Sequence, residues 1–170
     1  MPDDQQSGLP YDPIEEARRQ WEAHGWEEGA QGMAAVTSLM RAQQIYMARV
    51  EAVLRPLGIT FARYETMMLL YFSRRGALPM GVIGSRLQVH QTSVTNAVDR
   101  LEAAELVKRT PHPSDRRATI VEITEAGRAL ALKATEALNS EVFARPGLGQ
   151  GDMSELVGIL ARLRKQAGDF

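Results

Sequence analysis

The stretch from Leu78 to Thr124 constrains the fold most, because its hydrophobic period changes within a short span. Met80, Ile83 and Leu87 recur at spacings of three and four, the period of a helix with one apolar face. After a break at Gln88–His90 the period resumes with Val94, Val98, Leu101 and Glu105, three of them apolar. Leu106–Thr110 and Thr119–Ile123 then alternate residue by residue, as half-buried strands do. The pattern predicts two amphipathic helices joined by about three residues, followed by a two-stranded hairpin. Pro79 suits a first helical position, where its missing N–H leaves no bond unmade. Gly81 and Gly84 would let another helix approach closely. Two helices so connected form the helix-turn-helix arrangement, whose second helix docks in the major groove of DNA.

The second helix carries a face suited to that task. Thr92 and Asn96 point away from the apolar side, with Gln91, Ser93, Thr95 and Arg100 beside them. Amides pair with adenine, hydroxyls adapt to several bases, and arginine prefers guanine. Solvated helices also carry serine and threonine, so the preceding helix gives this face its meaning. Between the two strands, Pro111–Ala118 holds two prolines, Ser114-Asp115 and the adjacent Arg116 and Arg117, a projecting loop. A loop arginine can enter a narrow minor groove. The other reading is a solvated tip in which Asp115 pairs locally with an arginine.

These residues resemble the winged helix-turn-helix of MarR-type bacterial transcription regulators. The matching pieces are TSVTNAVDRLEAAELVKR at Thr92–Arg109, the wing motif Asp115-Arg116-Arg117, and ITEAGRAL at Ile123–Leu130. The resemblance runs from about Met33 to Phe170. It implies a mainly α fold with a small β-hairpin wing and a helical dimerisation region. It also implies a homodimer on pseudo-palindromic double-stranded DNA, usually released by a small ligand or by thiol oxidation, with repression as the default. In this chain Gln91, Thr92, Ser93, Thr95, Asn96 and Arg100 would read bases or bind phosphates. Arg116 and Arg117 would enter the minor groove, and Asp115 would orient them.

Composition narrows the alternatives. No cysteine is present, which excludes disulfides, thiolate metal sites and a cysteine-based oxidant sensor. His24, His90 and His112 are far apart and form no metal-ligand pair, and the methionines read as adaptable packing. No cofactor is expected. No run approaches 18 uncharged apolar residues, and the start MPDDQQSG is unlike a signal peptide, so a cytoplasmic protein is expected. The net charge of −1 looks wrong for a DNA binder, but residues 1–32 carry −6 and residues 33–125 carry +4. The basic excess therefore sits in the DNA-binding half, and affinity should fall with salt. That low net charge also motivates an alternative, a winged-helix protein-interaction module without DNA binding. No triad order, paired acids or metal spacing marks an enzyme.

The remaining chain frames this centre. Residues 1–32 read as an N-terminal arm with an extra helix from Asp12, a cap followed by Pro13 and by Glu15 three residues on, to about His24. A subgroup of MarR-type regulators has such a helix, bearing a tryptophan that lines a pocket for urate or similar anions. That subgroup also has an acidic residue on the first helix of the helix-turn-helix. Leu78–Leu87 has none, which points away from urate and leaves another small organic anion, such as a polycarboxylate, as the expected effector. Trp26, Arg41 and Arg63 are the candidate ligand residues, because an anion needs cationic donors and an aromatic wall. The other reading is that Trp21 and Trp26 anchor the arm onto the dimer core. Residues 33–58 and 125–170 are expected to form the dimerisation region and residues 59–124 the winged helix-turn-helix, in one compact domain overall. Met33–Leu54 has one apolar stripe. Thr60 caps a helix to about Arg75, in which Arg63 and Tyr64 face either DNA or the cleft beneath the dimer helices. Thr124 caps a helix of about eighteen residues. Asp152 and Glu155 start the last helix, whose stripe of Met153, Leu156, Leu160 and Leu163 needs either the core or a second subunit.

Overall fold

Asp12 starts the first helix as its position before Pro13 predicts. Its carboxylate accepts from the Ile14 N–H, and Pro13 takes the first helical position of α1 (Pro13–Ala23). The computed structural model describes residues 9–115 and 118–170. Glu15 does not close a capping box; Arg18 holds its carboxylate and also reaches Glu22. The chain turns at Gly25, whose φ of +80° suits glycine. Helix α2 (Glu27–Leu54) begins before Met33, because Glu27 and Glu28 favour the positive end of the helix without adding to the apolar stripe. Trp21 meets Trp26 edge-on at 5.5 Å between ring centroids, and a Cβ added at Gly29 would lie 3.3 Å from the Trp21 ring. The pair thus closes the turn between α1 and α2. Along α2 the stripe divides: Val36 and Met40 are exposed, whereas Val50 and Leu54 are buried.

The described residues fall into two compact units, divided between Ala48 and Arg49, and the hydrophobic core belongs to the second. A tight turn at Arg55–Leu57 ends at Gly58, with φ +70°. Thr60 then caps α3 (Phe61–Phe72) through the Arg63 N–H. This helix stops short of Arg75, because the Ser73 hydroxyl bonds the Leu70 carbonyl at 2.7 Å and the chain leaves the helix there. A strand that the alternation did not reveal follows, β1 (Ala77–Pro79). Pro79 ends this strand in extended geometry and stands just before α4 (Met80–Leu87), not inside it. Its ring is tolerated there because the strand lies at a sheet edge.

Next come α5 (Gln91–Ala103), β2 (Val107–Pro111) and β3 (Thr119–Ile123). The antiparallel sheet has the order β1-β3-β2, with Leu78 opposite Val121 and Arg109 opposite the same residue from the other side. Thr124 caps α6 (Glu125–Leu138) through the Gly127 N–H, and a wider π-helical turn, Asn139–Phe143, extends it. The last helix, α7 (Gln150–Gln166), begins after Gly149, so Asp152 lies in its first turn and does not cap it. Leu54, Met67, Leu70, Ile83, Leu101 and Leu138 form the centre of the core. Full burial of each stabilises the fold by about 1.5–3 kcal/mol. No residue of α7 is buried within the chain, and Val157 and Leu163 stay at least half exposed.

Candidate nucleic-acid interface

The turn between α4 and α5 is tight because Gln88 adopts a left-handed conformation, φ +53°, and donates its N–H to the Gly84 carbonyl. The helices then meet at Gly84, where an added Cβ would lie 3.3 Å from Gln91 Oε1 and 3.4 Å from Val94 Cγ2. Gly81 has open space, so the close approach rests on one glycine of the pair. His90 caps α5: its Nδ1 accepts the Thr92 N–H at 3.3 Å.

Helix α5 presents two different sides. Val94, Val98 and Leu101 are buried, while Gln91, Thr92, Ser93, Asn96 and Arg100 are exposed. Thr95 is half-buried, and its hydroxyl donates to the Gln91 carbonyl at 3.0 Å, within the helix. Glu105 does not continue the apolar side. It lies beyond the helix end with φ +59°, where the Leu106 N–H closes back to the Leu101 carbonyl at 2.9 Å.

Ser93, Asn96 and Arg100 share a concavity of about 500 Å³ with Thr60 and Arg63 from the start of α3. The two adjacent residues of α3 part company here. Arg63 lines this groove and bonds the Thr60 hydroxyl at 3.2 Å. Tyr64 turns inward, 7% exposed, with its hydroxyl 3.0 Å from Thr135 Oγ1. In the first unit, Arg41 lines a concavity of about 420 Å³ with Tyr11 and Thr37, and Trp26 is not part of its wall. Trp26 instead meets the Trp21 ring edge-on and the His24 ring at a tilt.

In the hairpin, Lys108 and Glu122 pair across the strands at 3.1 Å. The loop is shaped by His112, whose Nδ1 accepts from the Ser114 and Asp115 N–H groups at 3.3 and 3.2 Å. Its own N–H reaches the Ala118 carbonyl at 3.1 Å. Asp115 is exposed at the tip, and Arg116 and Arg117 lie outside the described residues. Sequence reasoning missed His112 and His90 as backbone acceptors, although each stands two residues before the N–H it receives. It also missed Arg109, whose guanidinium reaches Asp99 and Glu102 at 2.6 Å each.

A helix with a polar exposed side, a packed apolar side and an adjoining three-stranded wing is the geometry by which helix-turn-helix proteins enter the major groove. Comparison with known proteins agrees. A family model described as MarR family matches residues 57–118. Sco5413, a MarR family transcriptional regulator from Streptomyces coelicolor, is 47% identical. Its structure superposes with a TM-score of 0.76, covering 82% of this chain and 97% of that one. An uncharacterized HTH-type transcriptional regulator, YhbI of Bacillus subtilis, is 33% identical over 121 residues, which is 71% of this chain and 73% of YhbI. The transcriptional repressor CouR, solved on a 23-mer DNA duplex, is 26% identical with a TM-score of 0.69 over 74% of this chain and 89% of its own. The model match takes in both helices and the first strand of the wing, the relatives extend it through the flanking helices, and the chain belongs to the MarR family of winged helix-turn-helix transcription regulators.

Proposed function

We propose that the protein is a homodimeric DNA-binding repressor, released from its operator by a small organic anion. The observation that carries the reading is α5: a helix held by three buried residues presents Gln91, Thr92, Ser93, Asn96 and Arg100 outward, and Ser93, Asn96 and Arg100 share a groove with Arg63. Thr95 supports the face from within the helix. The amides and hydroxyls read base edges, and Arg63 and Arg100 meet phosphates. Arg116 and Arg117, which follow Asp115 in the sequence, serve the minor groove. Repression is supported by the likeness to CouR, a repressor seen on DNA.

The dimer reading draws on apolar surface that the single chain leaves uncovered. Val157 and Leu163 on α7 are 67% and 50% exposed. Val36 and Met40 on α2 are 56% and 62% exposed. Residues 33–58 and 125–170 form the subunit contact in this reading, residues 59–124 the DNA-binding part, and residues 1–32 the arm. A second copy places two recognition helices about one DNA turn apart. The effector seat is proposed at Arg41, within reach of an anion in the concavity beside Tyr11, with Trp26 and Arg63 as further candidates. No described helix is long and apolar enough to cross a membrane, and a target on DNA places the protein in the cytoplasm.

The test is anisotropy with a labelled duplex selected by the protein, at two salt concentrations. Binding should weaken steeply with salt, and Arg117→Ala should cost about 1–3 kcal/mol at physiological salt. Adding citrate, a polycarboxylate, should release the duplex. Unchanged binding by Arg117→Ala removes that arginine from the account, and wild-type protein that binds no duplex refutes the reading.

A further inference from the structure

We propose that Arg109 is a positioning residue of the DNA-reading helix, which acts by neutralising the two carboxylates that α5 carries toward the duplex. The proposal rests on the DNA-binding reading above. Asp99 and Glu102 are three residues apart on α5, so their side chains share one side of the helix. Asp99 lines a concavity with Asn96 and Arg100. A bare carboxylate on the surface of two reading residues would repel the phosphates they approach.

Arg109 comes from β2 and meets both acids at once. One terminal nitrogen donates to Asp99 Oδ1 and the other to Glu102 Oε2, each at 2.6 Å. The Arg109 backbone N–H adds a bond to Glu102 Oε1 at 3.2 Å. The arginine side chain is 24% exposed, against 53% for Asp99 and 40% for Glu102. Both terminal nitrogens are engaged by α5. The planar fork of an arginine can hold two carboxylates in fixed directions, which the single ammonium of a lysine cannot. Exposed ion pairs contribute little to stability, so the effect belongs to DNA binding more than to folding.

The experiment compares the intact protein with Arg109→Met, with Asp99→Asn/Glu102→Gln, and with all three changes together. The probes are a duplex of about thirty base pairs selected by the wild-type protein and a scrambled duplex of equal length, read over about 50–200 mM salt. Arg109→Met should weaken binding by about tenfold at the lower salt, since each bare carboxylate near a phosphate costs about twofold and meets more than one. The triple variant should return to within about twofold of wild type with the wild-type salt slope, because neither the acids nor their cation remain. A triple variant as weak as Arg109→Met, with a slope reduced by about one, would make Arg109 a phosphate ligand and overturn the proposal. The same weakness with an unchanged slope would reduce it to packing, and wild-type binding by Arg109→Met would also overturn it. Thermal unfolding of each variant reports whether it folds. If Arg109→Met does not, Arg109→Lys keeps a cation without the fork and should fall between wild type and the expected tenfold loss; binding equal to wild type would again overturn the proposal. Failure of the wild-type protein to bind either duplex refutes the functional reading and is distinct from every outcome above.

Discussion

Gly127→Ala tests the packing that joins α6 to the wing. A Cβ at this position would lie 2.1 Å from the Leu106 carbonyl oxygen and 2.9 Å from Ile123 Cγ1. Non-bonded carbon and oxygen do not approach so closely, so the start of α6 must withdraw by about 1 Å from β2, beyond what packed interiors absorb freely. It is pinned where it stands. The Thr124 N–H and hydroxyl both reach the Leu106 carbonyl at 3.0 Å, and Thr124 Oγ1 accepts the Gly127 N–H at 3.0 Å. Loosening two or three such bonds costs about 1 kcal/mol each. Alanine in place of glycine returns at most about 1 kcal/mol of helix propensity. The net loss is about 2 kcal/mol, which for a chain of this size lowers Tm by about 4–8 °C. The assay is thermal unfolding at one fixed protein concentration, because association makes Tm concentration-dependent. Gly81→Ala is the control: with nothing within 4 Å of its Cβ, Tm should hold or rise slightly. An unchanged or raised Tm for Gly127→Ala would mean that the Leu106 carbonyl does not restrain the start of α6.

Two further outcomes follow from single contacts. Tyr64→Phe removes the bond to Thr135 Oγ1, which still donates to the Ala131 carbonyl at 2.8 Å, so no buried group is orphaned. Stability should fall by about 0.5–1.5 kcal/mol in urea unfolding, with DNA affinity unchanged; a loss above about 3 kcal/mol would mean the ring also moves. Glu15 titrates at about 2, lowered from 4.5 by its hydrogen bond and charge interaction with Arg18. A lowered carboxylate adds stability above its ordinary value, and that contribution is lost as the pH falls from about 4.5 through 2. NMR titration of the Glu15 side chain should show this, and in Arg18→Gln the midpoint should rise toward 4.5; a midpoint unmoved by that change would dissociate the two residues.

Much of the fold was legible because its signals are local. Asp12, Thr60 and Thr124 each cap a helix through a bond that spans two or three residues, and α5 shows its buried side in the spacing of Val94, Val98 and Leu101. The illegible parts depend on distant partners or on backbone geometry. Strand β1 has three residues, one a proline, and exists because β3 pairs with it much later in the chain. Glu105 keeps the helical spacing on paper, but the helix has already ended in a left-handed turn that a glutamate does not advertise. The start of α7 passed from Asp152 to Gly149 because the loop through Gly147, with φ +83°, enters the helix early. At the candidate site, the exposure of Asn96 and Arg100 could be read from period alone. The role of Arg109 could not, since alternation along β2 does not say that its side chain meets two acids on α5.

A DNA-reading α5 should recognise a sequence. The most direct measurement is selection of bound fragments from the source genome, followed by gel shift at low and physiological salt. The expected result is recovery of a pseudo-palindrome whose half-site centres lie about one helical turn apart, bound more weakly at the higher salt. Recovery of only weak, sequence-independent binding, with and without added cell metabolites, would contradict it.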